Sequence, residues 1–225
     1  MTRTSRWVLC GLMVVLGATG CTGGADQESG TPASEAAPPT APATEIVPVE
    51  ATTTQGENVV FPSGEMSWAD AVVAFTPGDP AAGRSQDPQA ALGAPDYQGT
   101  DDAADEARYV SVGHGGELIL EFTDNVLVDG DGPDLAIYEI GPEVEPILVA
   151  IGEEGTEAMI EVGQVEGATC SVELAPFVQA GQQFRFVRLT DAQAGKSNDS
   201  EWPGADVNAV GAIHTLPVAA AEPSD

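Results

Sequence analysis

The densest set of chemistry-bearing side chains falls in one loop, where Asp124, Asn125, Asp129, Asp131 and Asp134 sit among Gly130, Gly132 and Pro133. Carboxylates and amides this close together suit a hard cation, since calcium takes ~6–8 oxygen ligands in irregular geometry. Glycine lets the backbone curl round an ion. The loop is not an EF-hand, because the terminal glutamate and the flanking helices are missing. Asp and Asn also favour turns in their own right, by bonding to the backbone just ahead. A structural calcium is the expected cofactor here, and plain turn formation is the competing account.

A second set suits recognition better than reaction. Between Ala192 and Ala205 one loop carries Lys196, Asn198, Asp199, Glu201 and Trp202. Trp202 is placed either to stack on a sugar ring or to cap a core, and Lys196 and Asn198 would share its rim. Arg84 and Tyr97 are further rim candidates. Catalytic patterns are scarce. One of the two histidines, His114, lies in Gly113-His114-Gly115-Gly116, which reads as a tight hairpin turn; the other, His214, ends a strand. There is no Gly-x-Ser-x-Gly elbow, no His-Glu-x-x-His helix and no phosphate-cradling glycine loop. With 36 acidic residues, carboxylate pairs at glycosidase spacing arise by chance. The expectation is a protein that is not an enzyme, with no catalytic residue assigned.

The N-terminus carries an address. Arg3 and Arg6 precede an apolar run from Trp7 to Gly17. That run is far shorter than the ~20 residues of a transmembrane helix and fits a secretory signal. Ala18-Thr19-Gly20-Cys21 resembles the lipobox of bacterial lipoproteins, in which the cysteine is lipidated and becomes the mature first residue. Residues 1–20 are thus expected as signal peptide and Cys21 as the acylated anchor. Each buried methylene adds ~0.8 kcal/mol, so several acyl chains anchor firmly. The implied location is an extracytoplasmic membrane face, the outer membrane or the outer face of the cell membrane. Cys10 leaves with the signal, so Cys170 is the remaining free thiol. Without a nearby basic group to activate it, it reads as a buried strand thiol.

A net charge of −29 opposes nucleic acid and anionic lipid as partners, and it grows once Arg3 and Arg6 are removed. From residue 21 to 66 the chain is rich in Ala, Thr, Pro and Glu, without Lys or Arg, and reads as a disordered tether. A coil of that length averages ~35–40 Å end to end. Residues 67–215 read as one domain, and 216–225 as a frayed tail. Within the domain short strands are expected at Ala71–Thr76, Arg108–Val112, Glu117–Thr123, Leu135–Ile140, Ile147–Ile151, Ala158–Val162, Ala168–Leu174, Phe184–Thr190 and Val207–His214. Helical turns are expected only at Pro88–Leu92 and Ala175–Gln179. Many short strands between turn residues predict an all-β, jelly-roll-type sandwich.

Three stretches carry a family resemblance. They are Ser85 to Asp96 (SQDPQAALGAPD), Leu118 to Glu139 around FTDNVLVDGDGPDLAIYE, and Phe186 to Asp191 with Gly204 to Val210. Together they resemble the discoidin-like, galactose-binding-like domains of bacterial cell-surface proteins, some of which are joined to outer-membrane-protein-A-like domains. The resemblance implies a β-sandwich binding or adhesion module, in a superfamily with carbohydrate- and lipid-binding members and often a structural calcium. It implies calcium ligands where an early loop meets the last strand: Asp87 or Asp96 with Asp206, helped by Asp191 or Asn208. The expected function is a membrane-anchored surface lipoprotein whose non-catalytic module binds a glycan or other envelope material. The alternative is an envelope spacer or protein-interaction module without a small ligand. Oligomeric state is left open.

Overall fold

The computed structural model describes residues 45–100, 102–141, 144–195 and 201–218. Strands follow in the order β1 (Val49–Thr52), β2 (Asn58–Phe61), β3 (Ala71–Thr76), β4 (Val110–Ser111), β5 (Glu117–Glu121), β6 (Asn125–Leu127), β7 (Leu135–Glu139), β8 (Val144–Gly152), β9 (Ile160–Gly167), β10 (Ser171–Val172), β11 (Phe186–Asp191), β12 (Asp206–Ala212) and β13 (Thr215–Pro217). Helix is limited to 3-10 turns at Gly64–Ser67, Pro88–Ala91 and Glu106–Arg108 among the described residues. Each strand span expected from sequence contains or overlaps an observed strand. The expected turn at Pro88 forms, capped by the Asp87 carboxylate on the Gln89 N–H. Residues 175–178 make a hydrogen-bonded turn closed on the Leu174 carbonyl, with no helix.

Two antiparallel sheets face each other over a common core. One has the order β10-β7-β12-β4 and the other β3-β5-β11-β8-β9. Leu118, Leu120 and Phe122 project from one face of the β5 segment into that core, as their period of two requires. They meet Val187 and Leu189 of β11, Ile147, Val149 and Ile151 of β8, and Leu135 and Ile137 of β7. β11 lies at the centre of the larger sheet, paired on both sides, with Val187 opposite Leu120 and Ile151. The all-β sandwich expected from the strand pattern is what the chain forms.

The string Gly113-His114-Gly115-Gly116 is not a hairpin. β4 belongs to one sheet and β5 to the other, so this turn carries the chain from layer to layer. Gly113 and Gly115 hold φ of +80° and +71°, where side chains are strained. A Cβ on Gly116 would strike the Val112 carbonyl, and one on Gly113 the backbone of Gly78. His114 is buried in this crossing rather than displayed.

The domain begins earlier than the composition suggests. The expectation of a tether running to residue 66 fails from Val49 onward, where β1 and β2 pair as a hairpin. Phe61 is fully buried and Val59 nearly so, packed with Trp68 against Ala136 and Tyr138 of β7 and Ala209 of β12. The hairpin covers the outer face of the smaller sheet, which is why all five residues of β7 are buried instead of alternating. Gly211 makes this possible, since a Cβ there would meet the rings of Trp68 and Phe61. At the other end, Leu216 and Pro217 pair with Val126 and Asn125, so the expected tail also starts later than residue 216. The rest of the expected tether (residues 21–44) and of the tail (219–225) lies outside the described residues.

Phe61→Ala is expected to destabilise the domain by about 3–5 kcal/mol, the usual cost of a buried aromatic truncation. Urea unfolding measures this. A loss near zero would mean that the hairpin is not part of the cooperative unit.

Candidate functional site

The Asp/Asn loop is pinned by its own chain. Asp134 is fully buried, and its Oδ1 accepts the Gly130 N–H at 2.7 Å while its Oδ2 accepts the Leu174 N–H at 2.8 Å. His214 Nδ1 lies 2.8 Å from the same Oδ1, and a Cβ on Gly130 would strike the His214 ring. Asn125 is buried, donating from Nδ2 to Thr215 Oγ1 at 2.6 Å. Asp124 and Asp131 are exposed. Partial burial, with the Asp70 charge, raises the Asp124 pKa. Of the four expected carboxylate ligands in this loop only Asp129 and Asp134 come together, and Glu173 joins them, with oxygens within 4.8 Å of one another. Asp129 Oδ1 is buried and has no hydrogen-bond partner. The donor set therefore fits a hard divalent cation in part: Asp129 Oδ1 is available, whereas Glu173 Oε1 accepts the Ala175 N–H at 3.2 Å and Asp134 already has its hydrogen bonds.

The ligands implied at the early loop and last strand divide differently. Asp87 caps its 3-10 turn. Asp96 does meet Asn208, accepting from its Nδ2 at 3.0 Å, but the Arg108 guanidinium lies 2.6 Å from Asp96 Oδ2. A fixed organic cation stands where a metal was expected. Asp191 is buried at the end of β11 and accepts backbone N–H groups of Gly115, Gln193 and Ala205 at 2.9, 2.8 and 3.1 Å. Asp206 accepts from the Ser111 hydroxyl.

Asp206 instead belongs to a cleft. A cavity of about 390 Å³ is lined by Tyr97, Glu106, Tyr109, Ile140, Trp202 and Asp206. A second, of about 590 Å³, shares Trp202 and Asp206 and adds Glu139, Glu145 and Gln193. Both volumes fall in the range of ~300–1,000 Å³ usual for small-ligand clefts. Trp202 is half-buried, and Arg84 places its guanidinium 6.0 Å from the indole centroid. Arg84 also pairs with Glu106 at 3.0 Å and Glu201 at 3.7 Å. Tyr97 and Tyr109 meet edge to face with centroids 5.9 Å apart. Of the expected rim, Trp202, Arg84 and Tyr97 converge here, while Lys196, Asn198 and Asp199 lie outside the described residues, as does Cys21.

The cleft holds a crowded pair of acids that its sequence context hides. Glu139 ends β7 and is 3 % exposed. Burial pushes its carboxyl up to about 8, against the help of the Gly141 and Asp206 N–H groups, with Asp206 and Glu145 charges adding to the rise. Asp206 opens β12, and burial pushes it up to about 7, the Ser111 hydroxyl opposing and the Glu145 charge adding. Glu139, Glu106, Glu145, Tyr109 and Glu173 escape sequence reasoning. The one visible signal is an acid closing the apolar strand Leu135-Ala136-Ile137-Tyr138-Glu139.

Cys170 sits just before β10, fully buried, with its thiol donating to Glu57 Oε2 at 2.9 Å. Burial and that contact push it up to about 12, which disfavours the thiolate form. No described helix is long and apolar enough to cross a membrane. In comparisons with known proteins, no family model matches the chain and no curated protein matches it.

The raised acids set a pH dependence. Folded Glu139 and Asp206 hold protons to higher pH than in the unfolded chain, so their contribution is present below the ordinary carboxylate range. It is lost as pH rises through about 7 and about 8. The melting midpoint is expected to fall from about pH 5 to about pH 9, and Glu139→Gln to flatten the upper part of that fall. A midpoint that rises over this range would contradict the assignment.

Proposed function

We propose that this chain is a lipid-anchored bacterial envelope protein displaying a non-catalytic, galactose-binding-like β-sandwich that binds a glycan or related envelope material. The observation that carries the reading is the cleft where Trp202, Tyr97 and Tyr109 line one cavity with Glu106 and Asp206. Aromatic faces stack on sugar rings, and carboxylates accept from sugar hydroxyls; a few placed polar groups among apolar walls are what a ligand site needs. The usual reactive groups support a binding role, because each has a structural task. His114 is buried in the layer crossing, His214 bonds Asp134, and the Cys170 thiol stays protonated. Glu139 directs its two oxygens to the N–H groups of Gly141 and Asp206, at 2.8 and 3.3 Å, not to a reacting bond.

A divalent cation enters this reading only at Asp129, Asp134 and Glu173. Millimolar calcium is expected to raise the melting midpoint of the protein over that in chelator, and Asp129→Asn to abolish the rise. At 100 times its dissociation constant a ligand adds ~2.7 kcal/mol. A midpoint indifferent to calcium and chelator removes calcium from the reading.

The binding function is tested by retention on insoluble polysaccharides and isolated cell-wall material. Trp202→Ala is expected to lose retention by at least ~10-fold, the scale of one lost stacking contact. Cys21→Ser should leave retention intact while releasing the protein from the membrane fraction. Retention by no polysaccharide, or retention indifferent to Trp202, would overturn the glycan reading.

A further inference from the structure

Among the described residues, the charged groups lining the two cavities that flank Trp202 are all acids. Glu106 and Asp206 line the first, and Glu139, Glu145 and Asp206 line the second, with no Lys or Arg among the described lining residues of either. The nearest described cation, Arg84, is already held by Glu106 and Glu201 and lies against the Trp202 ring. Arg108 is held by Asp96 and Asp105. Asp206 and Glu139 have hydrogen bonds but no ion pair among the described residues. An anionic polymer is opposed here, and a neutral one leaves the carboxylates unused. Aromatic faces beside carboxylates are the surroundings that stabilise an ammonium group, through cation–π attraction and charge-assisted hydrogen bonds. The contact of Arg84 with Trp202 shows that this ring already carries one cation.

Resting on the glycan reading above, we infer that the cleft recognises a glycan with free amino groups, a deacetylated hexosamine polymer whose ring stacks on Trp202 and whose ammonium pairs with Asp206. The polymer runs past Trp202 from one cavity into the other, because both are built on the same two residues. The groups facing Asp206 are Ser111, Glu139, Glu145, Glu106, Tyr97, Tyr109 and Trp202. An ammonium placed among them favours the ionised carboxylates. Since burial raises both Asp206 and Glu139, with the Glu145 charge adding at each and the Asp206 charge at Glu139, binding near neutral pH drives protons off them.

The test is calorimetric titration of the full chain in detergent with hexamers of glucosamine, N-acetylglucosamine and glucose. The glucosamine hexamer is expected to bind about tenfold tighter than the N-acetylated one, the scale of one added charge-assisted contact. Asp206→Asn should erase that preference, and Trp202→Ala should lose binding of all three. Glu154→Gln, a neutralisation on the rim of a different cavity, should leave the preference intact, which separates cleft recognition from the pull of an acidic surface on any polycation. Buffers of different ionisation enthalpy should reveal proton release on binding. Equal affinity for the acetylated and free-amine hexamers, or a preference that survives Asp206→Asn, overturns this inference and leaves the glycan reading standing. Failure to bind any hexamer, together with no polysaccharide retention, overturns both. Circular dichroism and the melting midpoint of each variant confirm that it is folded.

Discussion

The carboxylate of Asp191 ties together the parts of the molecule that matter for its cleft. It closes the central strand β11, where it is 2 % exposed, and collects three backbone N–H groups from separate pieces of chain. Gly115 belongs to the crossing between sheets, Gln193 to the start of the loop after β11, and Ala205 to that loop's return into β12. Its own N–H goes to the Gly116 carbonyl. Gly204 approaches so closely that a Cβ would meet both Gly113 and Asp191. An orphaned buried N–H costs ~1–3 kcal/mol, so three of them fix this arrangement against any looser one. Trp202 stands just before the Ala205 contact, and Asp206 just after it. The aromatic and the acid of the cleft therefore inherit their positions from a residue that does not line it.

Buried and half-buried acids in this domain fall into two kinds, distinguished by what surrounds them. Asp134, Asp191 and Asp105 each gather several donors, and each fixes a turn; Asp105 accepts the N–H groups of Gln98 and Thr100. Glu139 and Asp206 also have hydrogen bonds, yet they share a small space with each other and with Glu145. Burial and like charge together outweigh two N–H donors at Glu139, which is why its carboxyl climbs to about 8. The first kind stabilises the fold. The second has hydrogen bonds but no ion pair among the described residues, and it sits beside the aromatic rings.

The sheets were legible because their signal is local. Alternation in Leu118-Ile119-Leu120-Glu121-Phe122 and the apolar run of β11 state their own burial and place in the sheet. The hairpin of β1 and β2 was not legible, because its residues Val49, Val59 and Phe61 are few, spread among Thr and Glu, and buried only against a distant sheet face. Composition over residues 21–66 averages that signal away. The cleft was half legible. Trp202, Arg84 and Tyr97 stood out as uncommon side chains in a chain with little aromatic or basic content. Glu139, Glu106 and Tyr109 did not, since one acid among 36 carries no distinction until the fold selects it. The turn at Gly113–Gly116 has a glycine pattern shared by hairpins and layer crossings, and only the pairing of its flanking strands separates the two.

A net charge of −29 draws cations towards the molecule, but that attraction is screened beyond ~8–10 Å at physiological salt. Long-range charge thus concentrates basic ligands near the surface without choosing among them. Choice has to come from short-range contacts that a diffuse acidic surface does not offer. Within the cleft a ring face and a raised carboxylate are presented to the same small volume, and their separation is set by the few residues between Trp202 and the start of β12. A ligand that satisfies one but not the other loses part of the interaction, so stacking and charge act as a joint requirement. Under the proposed binding role, specificity depends on how rigidly Asp191 and the Gly113–Gly116 crossing hold that spacing, and the acidity of the remaining surface serves encounter.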